Sequence, residues 1–326
     1  MIKFFTLFFC LFIFNISAQQ LTQSSIYNHN IYDFNPAVAG VDGNLEMNAG
    51  LRKQWAGLVG APLTQSLNSH LPVYFTGGGF GVKIKNSTFG VSRNLVAALS
   101  YNQIVQLNES TILSFGFSGG LSQYSFNGAD LRTPQGSYEG LIGGINHNDL
   151  VLSETNESSN TPVFNAGLLL KHKSLTFGVS ADNLLASTYE FDNNRNQIVF
   201  NQVRHYYGYL LYVWDLSEDL VLKPSILVKA ASAELQTDIT LAAEFKEKFY
   251  VGASYRGYSN ISIDAITLQG GFRLNNDIQL IYAYDIGLSE LVTAHSGSHE
   301  ILIRYRINTS FGKGVPPPII YNPRFL

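Results

Sequence analysis

At 326 residues, with 21 basic against 24 acidic side chains and a formal net charge of −3, the chain is too weakly charged to read as a nucleic-acid binder. Charged residues make up 14% of it, well below the roughly 25% of soluble domains, while 18 Tyr and 22 Phe give it a surface suited to lipid. A single cysteine excludes a disulfide framework within the chain.

Residues 1–18 read as a secretory signal. Lys3 supplies the positive start, Phe4 to Phe14 the apolar run, and Ile16-Ser17-Ala18 a cleavage site before Gln19. The run is too short for a helical span, which needs about 20 apolar residues. Cys10 lies inside it, so the mature chain has no thiol. Residues 19–42 are expected to form an N-terminal periplasmic segment outside any membrane domain.

From there the sequence beats at a period of two. Leu220, Leu222, Pro224, Ile226 and Val228 share one face of a segment whose other face carries Lys223, Ser225 and Lys229. The segments run about 9–11 residues, the length of a tilted transmembrane strand. Strands are predicted near 43–56, 63–75, 78–87, 92–104, 110–124, 162–171, 174–183, 203–215, 219–231, 236–246, 248–258, 261–273, 277–287 and 298–311. This is an all-β fold, a transmembrane antiparallel β-barrel of about 14 strands of outer-membrane type, spanning 43–312.

The connections alternate between two rims. Long ones, 125–161, 184–202 and 288–297, fall on one rim, and short polar turns such as Lys171 to Ser174, Asp215 to Asp219 and Lys246 to Lys248 on the other. Long external loops with tight periplasmic turns are the usual asymmetry, so both chain ends are expected on the periplasmic side. Residues 313–326 contain Pro316-Pro317-Pro318, which cannot extend a hydrogen-bonded ladder, and read as a Pro-rich periplasmic tail.

The candidate chemical sites are weak. His299 sits between Ser298 and Glu300, but neighbours on a strand point to opposite faces and cannot relay a proton. Asp192, Asn194 and Asn196 imitate the start of a calcium loop, yet Gln197 and Val203 stand where Gly and Glu are needed. Gly77-Gly78-Gly79 and Gly81 precede no phosphate-binding motif and suggest a turn or bend at the rim. Trp55, Tyr206, Tyr212, Trp214, Tyr250 and Tyr258 read as interfacial girdle residues. No catalytic, cofactor or metal residues are assigned.

The lumen carries sharper chemistry. A register pairing Lys223 with Glu244 and Lys229 with Asp238 would put both opposite-charge pairs face to face on the inner wall. They would form either a charged constriction for a solute or, the favoured reading, a ladder that neutralises and fills the interior.

One block is more particular: Asn35-Pro36-Ala37-Val38-Ala39-Gly40, Arg52-Lys53-Gln54-Trp55, Pro62-Leu63-Thr64 and Gly79-Phe80-Gly81, with Pro323-Arg324-Phe325 near the end. It resembles the PorP/SprF family of type IX secretion outer-membrane proteins. The resemblance implies a non-enzymatic, cofactor-free barrel in the outer membrane that assists secretion or anchors adhesin-like proteins at the cell surface; some members serve gliding motility. Its partners would be secreted adhesin-like proteins, periplasmic secretion machinery and outer-membrane lipid, with no nucleic acid. Asn35, Pro36, Ala37, Gly40, Arg52, Gln54, Trp55, Pro62 and Thr64 would then be either a partner site or an assembly signature. Physically, Asn-Pro favours a turn and Gly40 lets the chain bend into the first strand. The competing expectation is a small-solute pore or substrate-specific channel.

Overall fold

The computed structural model describes residues 23–138, 145–149, 155–193, 196–231, 234–258, 263–288 and 290–307. The expected signal peptide and the tail 313–326 therefore lie outside the described residues. Strands β1 (Leu45–Lys53), β2 (Leu63–Val73), β3 (Gly78–Phe89), β4 (Ser92–Asn108), β5 (Thr111–Asn127), β6 (Asn156–His172) and β7 (Leu175–Asp182) form the first half of the wall. A hairpin, β8 (Thr188–Asn193) and β9 (Asn196–Asn201), stands apart from it. β10 (His205–Tyr212) and β11 (Trp214–Asp215) are two pieces of one stave. β12 (Leu220–Ala231), β13 (Glu234–Phe245), β14 (Phe249–Tyr258), β15 (Ile263–Arg273), β16 (Ile278–Gly287) and β17 (Ser298–Ile307) complete the wall.

Every stave pairs antiparallel with its neighbours in the chain, and β1 pairs with β17, closing a barrel of fourteen staves. Closure matters in lipid, where an unpaired strand edge would leave backbone groups without partners. Among the described residues no helix is long and apolar enough to cross a membrane.

Register partners share a face, so the pairing sorts the side chains. Ala49, Leu67, Ile84, Ala97 and Leu121 form one outward row across β1 to β5. Asn48, Asn68, Ser100 and Asn102 point inward and are buried. The tight turns on one rim force left-handed backbone on Lys173 (φ 48°), Lys246 (φ 50°) and Glu247 (φ 54°). The other rim carries the long connections after β5, β7 and β16.

The strands near 92–104, 110–124 and 162–171 are longer than the sequence suggests. Ser125, Asn127, Asn156, Ser158 and Asn160 carry no hydrophobic beat, yet they remain paired across β5 and β6. Backbone pairing beyond the lipid does not need apolar side chains.

A barrel this wide is not filled by its own inward side chains. Residues 23–41, expected in the periplasm outside the barrel, run inside it instead, as three 3₁₀ turns at Tyr27–His29, Ile31–Asp33 and Pro36–Val38. Among the described residues, three apolar clusters include a residue of this plug. Ile26 packs with Tyr250 and Ile281, Tyr27 and Phe34 with Tyr209 and Leu227, and Ala37 and Val41 with Ile104, Ile112 and Leu169. The plug is the core of the molecule.

Candidate functional site

The plug is seated by polar groups and by missing side chains. Asn35 caps the last 3₁₀ turn by accepting from Ala37 N at 2.9 Å, and its Nδ2 donates to Leu168 O at 3.0 Å. Ala37 O accepts from Asn102 Nδ2 (2.8 Å) and Ser114 Oγ (2.7 Å). Ser180 Oγ donates to Phe34 O at 2.6 Å, and Tyr32 and Ser100 share a hydroxyl hydrogen bond of the same length. These contacts tie the motif residues Asn35 and Ala37 to β4, β5, β6 and β7.

Four strand glycines make the room. A Cβ at Gly116 would stand 2.2 Å from Ala37 N, at Gly167 2.1 Å from Asn35 Oδ1, at Gly79 2.2 Å from Ala39 O, and at Gly81 2.2 Å from Tyr32 Oη. The Gly79 and Gly81 positions thus clear the plug, a role beyond the rim bend expected for the glycine run. Gly40, at φ 68°, turns the plug toward β1 and lies against the backbone of Leu71 and Pro72. Gly116→Val or Gly167→Val is expected to unseat the plug while the barrel forms. Limited proteolysis in detergent would then cut within 23–41 in the variants and spare the parent. Gly208→Val, at a site with nothing within 4 Å, serves as the silent control.

The upper end of the plug is held by charge. Ser25 N donates to Glu300 Oε2 at 2.6 Å and Ser25 Oγ to Asp285 Oδ1 at 2.6 Å. Arg52 bridges Asp285 (2.6 Å) and Glu300 (2.9 Å), and Arg256 bridges Asp238 (2.6 Å) and Asp285 (3.1 Å). Lys229 completes the set at 2.9 Å from Asp238. Three cations face three carboxylates, all buried, so the network is neutral as a unit. At the tight-turn rim Lys171 Nζ lies 2.8 Å from Asp42 Oδ1, and this ammonium holds the Asp42 carboxyl well below the usual carboxylate range.

The lumenal pairs form in a different register from the one expected. Lys223 faces Ala242 and Lys229 faces Gln236, two residues away from direct opposition to Glu244 and Asp238. The reason is the spacing of the paired ends: Ala231 pairs with Glu234, and a separation of two positions fixes the ladder. The long lysine side chains bridge the offset diagonally, and Lys223 reaches Glu244 as an ion pair.

The other singled-out residues are dispersed. Pro36 opens the last 3₁₀ turn. Gln54 N donates to Pro62 O, closing the β1–β2 loop, and Thr64 meets Ser87 on the inner wall. Trp55, at φ 51°, stacks on His295 at the rim. Tyr206, Tyr212 and Trp214 are exposed, as a girdle requires. Tyr250 is not a girdle residue: it points inward, 1% exposed, accepting from Asn28 and donating to Gln269. His299 hydrogen-bonds to Tyr282 on the outer face while Glu300 turns inward to the plug. Residues 192–193 and 196–197, from the stretch that imitates a calcium loop, pair in the β8–β9 hairpin.

Above the plug a cavity of about 400 Å³ opens toward the long-loop rim, with Gln23, Tyr27 and Phe34 in its floor and Lys83, Lys85, Asn165 and Asp182 in its wall. The β8–β9 hairpin packs over one side, where Tyr189 is hydrogen-bonded to Ser122 and Gln202.

Solved structures with a similar overall barrel include the toluene transporter TodX of P. putida (11% identity, 85% of this chain and 93% of that one, TM-score 0.49). The CymD monoaromatic hydrocarbon channel is similar to the same degree (12%, 86% and 99%, TM-score 0.49). Among curated proteins none matches the sequence. The family described as type IX secretion system membrane protein PorP/SprF matches residues 16–305, nearly the whole length, and includes the plug motif and the strands that seat it. The chain belongs to the PorP/SprF family of type IX secretion system membrane proteins.

Proposed function

We propose that this barrel works without enzymatic activity in the outer membrane, as a type IX secretion component that helps export adhesin-like proteins or hold them at the cell surface. Gliding motility is the process such adhesins would serve. The observation that carries the reading is the plug. The lumen is occupied by the protein's own chain, locked by hydrogen bonds from Arg52 and Arg256 to Ser25 and from Lys229 to Gln23, so work is done at the two faces. The long-loop rim, with its cavity and hairpin, suits contact with the exported protein; the tight-turn rim suits contact with periplasmic machinery.

Deleting the gene is expected to abolish surface display of one or more large secreted proteins and to leave small-solute uptake unchanged. Surface proteomics of intact cells and uptake assays read the two arms. Normal surface display combined with lost uptake of a nutrient would make a substrate-specific channel the better reading.

A further inference from the structure

The motif Arg52-Lys53 is split by the strand. Arg52 turns inward to the plug lock, and Lys53 turns outward, where no part of that lock reaches it. The register aligns Lys53 with Leu63, Thr88 and Arg93 in one outward row across β1 to β4, and both cations are exposed. Neither forms an ion pair among the described residues. The pairing leaves no other Lys or Arg on the outward face of the described strands.

The rows below follow a definite order. Next come Gln65 and Asn86, flanked by Leu51 and Leu95, with Arg93 Nε donating to Asn86 Oδ1 at 2.6 Å and Asn86 Nδ2 to Gln65 Oε1 at 3.1 Å. Below these lie Ala49, Leu67, Ile84 and Ala97, all apolar. From the long-loop rim downward the surface thus reads cationic, then amide, then hydrocarbon. Three interstrand spacings of about 4.8 Å put Lys53 and Arg93 roughly 14 Å apart, a width that a disaccharide headgroup covers.

We propose that this sector of β1 to β4 binds a phosphorylated glycolipid of the outer leaflet. Arg93 takes one phosphate through its planar guanidinium and Lys53 takes a second as a point charge. Gln65 and Asn86 hydrogen-bond the sugars, and the acyl chains lie along Leu67 and Ile84. The site fixes the orientation of the barrel about its axis relative to the lipid around it, and does not depend on which protein is exported.

The test uses the full-length barrel in mild detergent, with diphosphorylated lipid A as probe and native mass spectrometry as readout. Wild type is expected to retain lipid A, and to retain about tenfold less of it after enzymatic removal of the phosphates, or in the variant Lys53→Gln/Arg93→Gln. Lys53→Arg/Arg93→Lys should keep most of the binding, and unchanged heat-modifiable mobility shows that each variant is folded. Equal retention by the Gln variant, equal retention of dephosphorylated lipid A, or equally tight binding of phosphatidylglycerol would each overturn the proposal.

Discussion

A variant lacking residues 23–41 is expected to insert as a barrel and to conduct ions steadily in planar bilayers, where the intact protein stays closed. The wall closes on itself through β1 and β17 without help from the plug. The charged residues left behind, Arg52, Arg256 and Lys229 with Asp238, Asp285 and Glu300, keep one another neutral. Water replaces the Ser25 contacts, and the apolar patches around Tyr209, Ile281 and Leu169 lose their cover. Uncovering buried apolar surface costs about 25 cal/mol per Å², so the variant should also unfold at lower denaturant than the parent. Single-channel recording decides the matter. A closed trace from a correctly inserted variant would mean that the loops seal the barrel, and the plug would lose its role as the barrier.

Arg256→Met is expected to cost about 3–5 kcal/mol of stability, the scale for removing one partner from a buried charge network. Arg256 contacts Asp238, Asp285 and Ser25 Oγ and is buried. Without it two cations face three buried carboxylates. Adding Asp238→Asn restores two against two and should recover much of the loss, which separates the charge effect from the lost packing. Denaturant unfolding in detergent, read as the midpoint of heat-modifiable mobility, gives the comparison. An unchanged midpoint for the single variant would show that the network is open to water. Recovery by the double variant would fail if Asp238 were held chiefly by Lys229.

Much of this fold is written in local spacing. The alternation of Leu222, Pro224, Ile226 and Val228 with Lys223, Ser225 and Lys229 states which side of a strand meets lipid, because successive side chains leave opposite faces whatever the partner strand is. Counting such segments yields fourteen staves, and the uneven lengths of the connections separate the rims. That Lys223, Lys229, Asp238 and Glu244 face inward follows from the same beat. The motif block, too, identifies the family without any coordinates.

Contacts between distant parts of the chain were decided only by the tertiary structure. Ser25 binds Glu300 across 275 positions, and nothing local to residues 23–41 separates a segment that crosses a lumen from one that lies in the periplasm. The register of β12 on β13 hinged on which residues pair at the strand ends, Ala231 with Glu234, because shifting a ladder by two residues preserves every inward and outward face and leaves the hydrophobic pattern unchanged. Gly116 and Gly167 look like weak points in their strands until the plug is in place. Their missing Cβ atoms are the space that Asn35 and Ala37 occupy, and a space of that kind is a property of two surfaces at once.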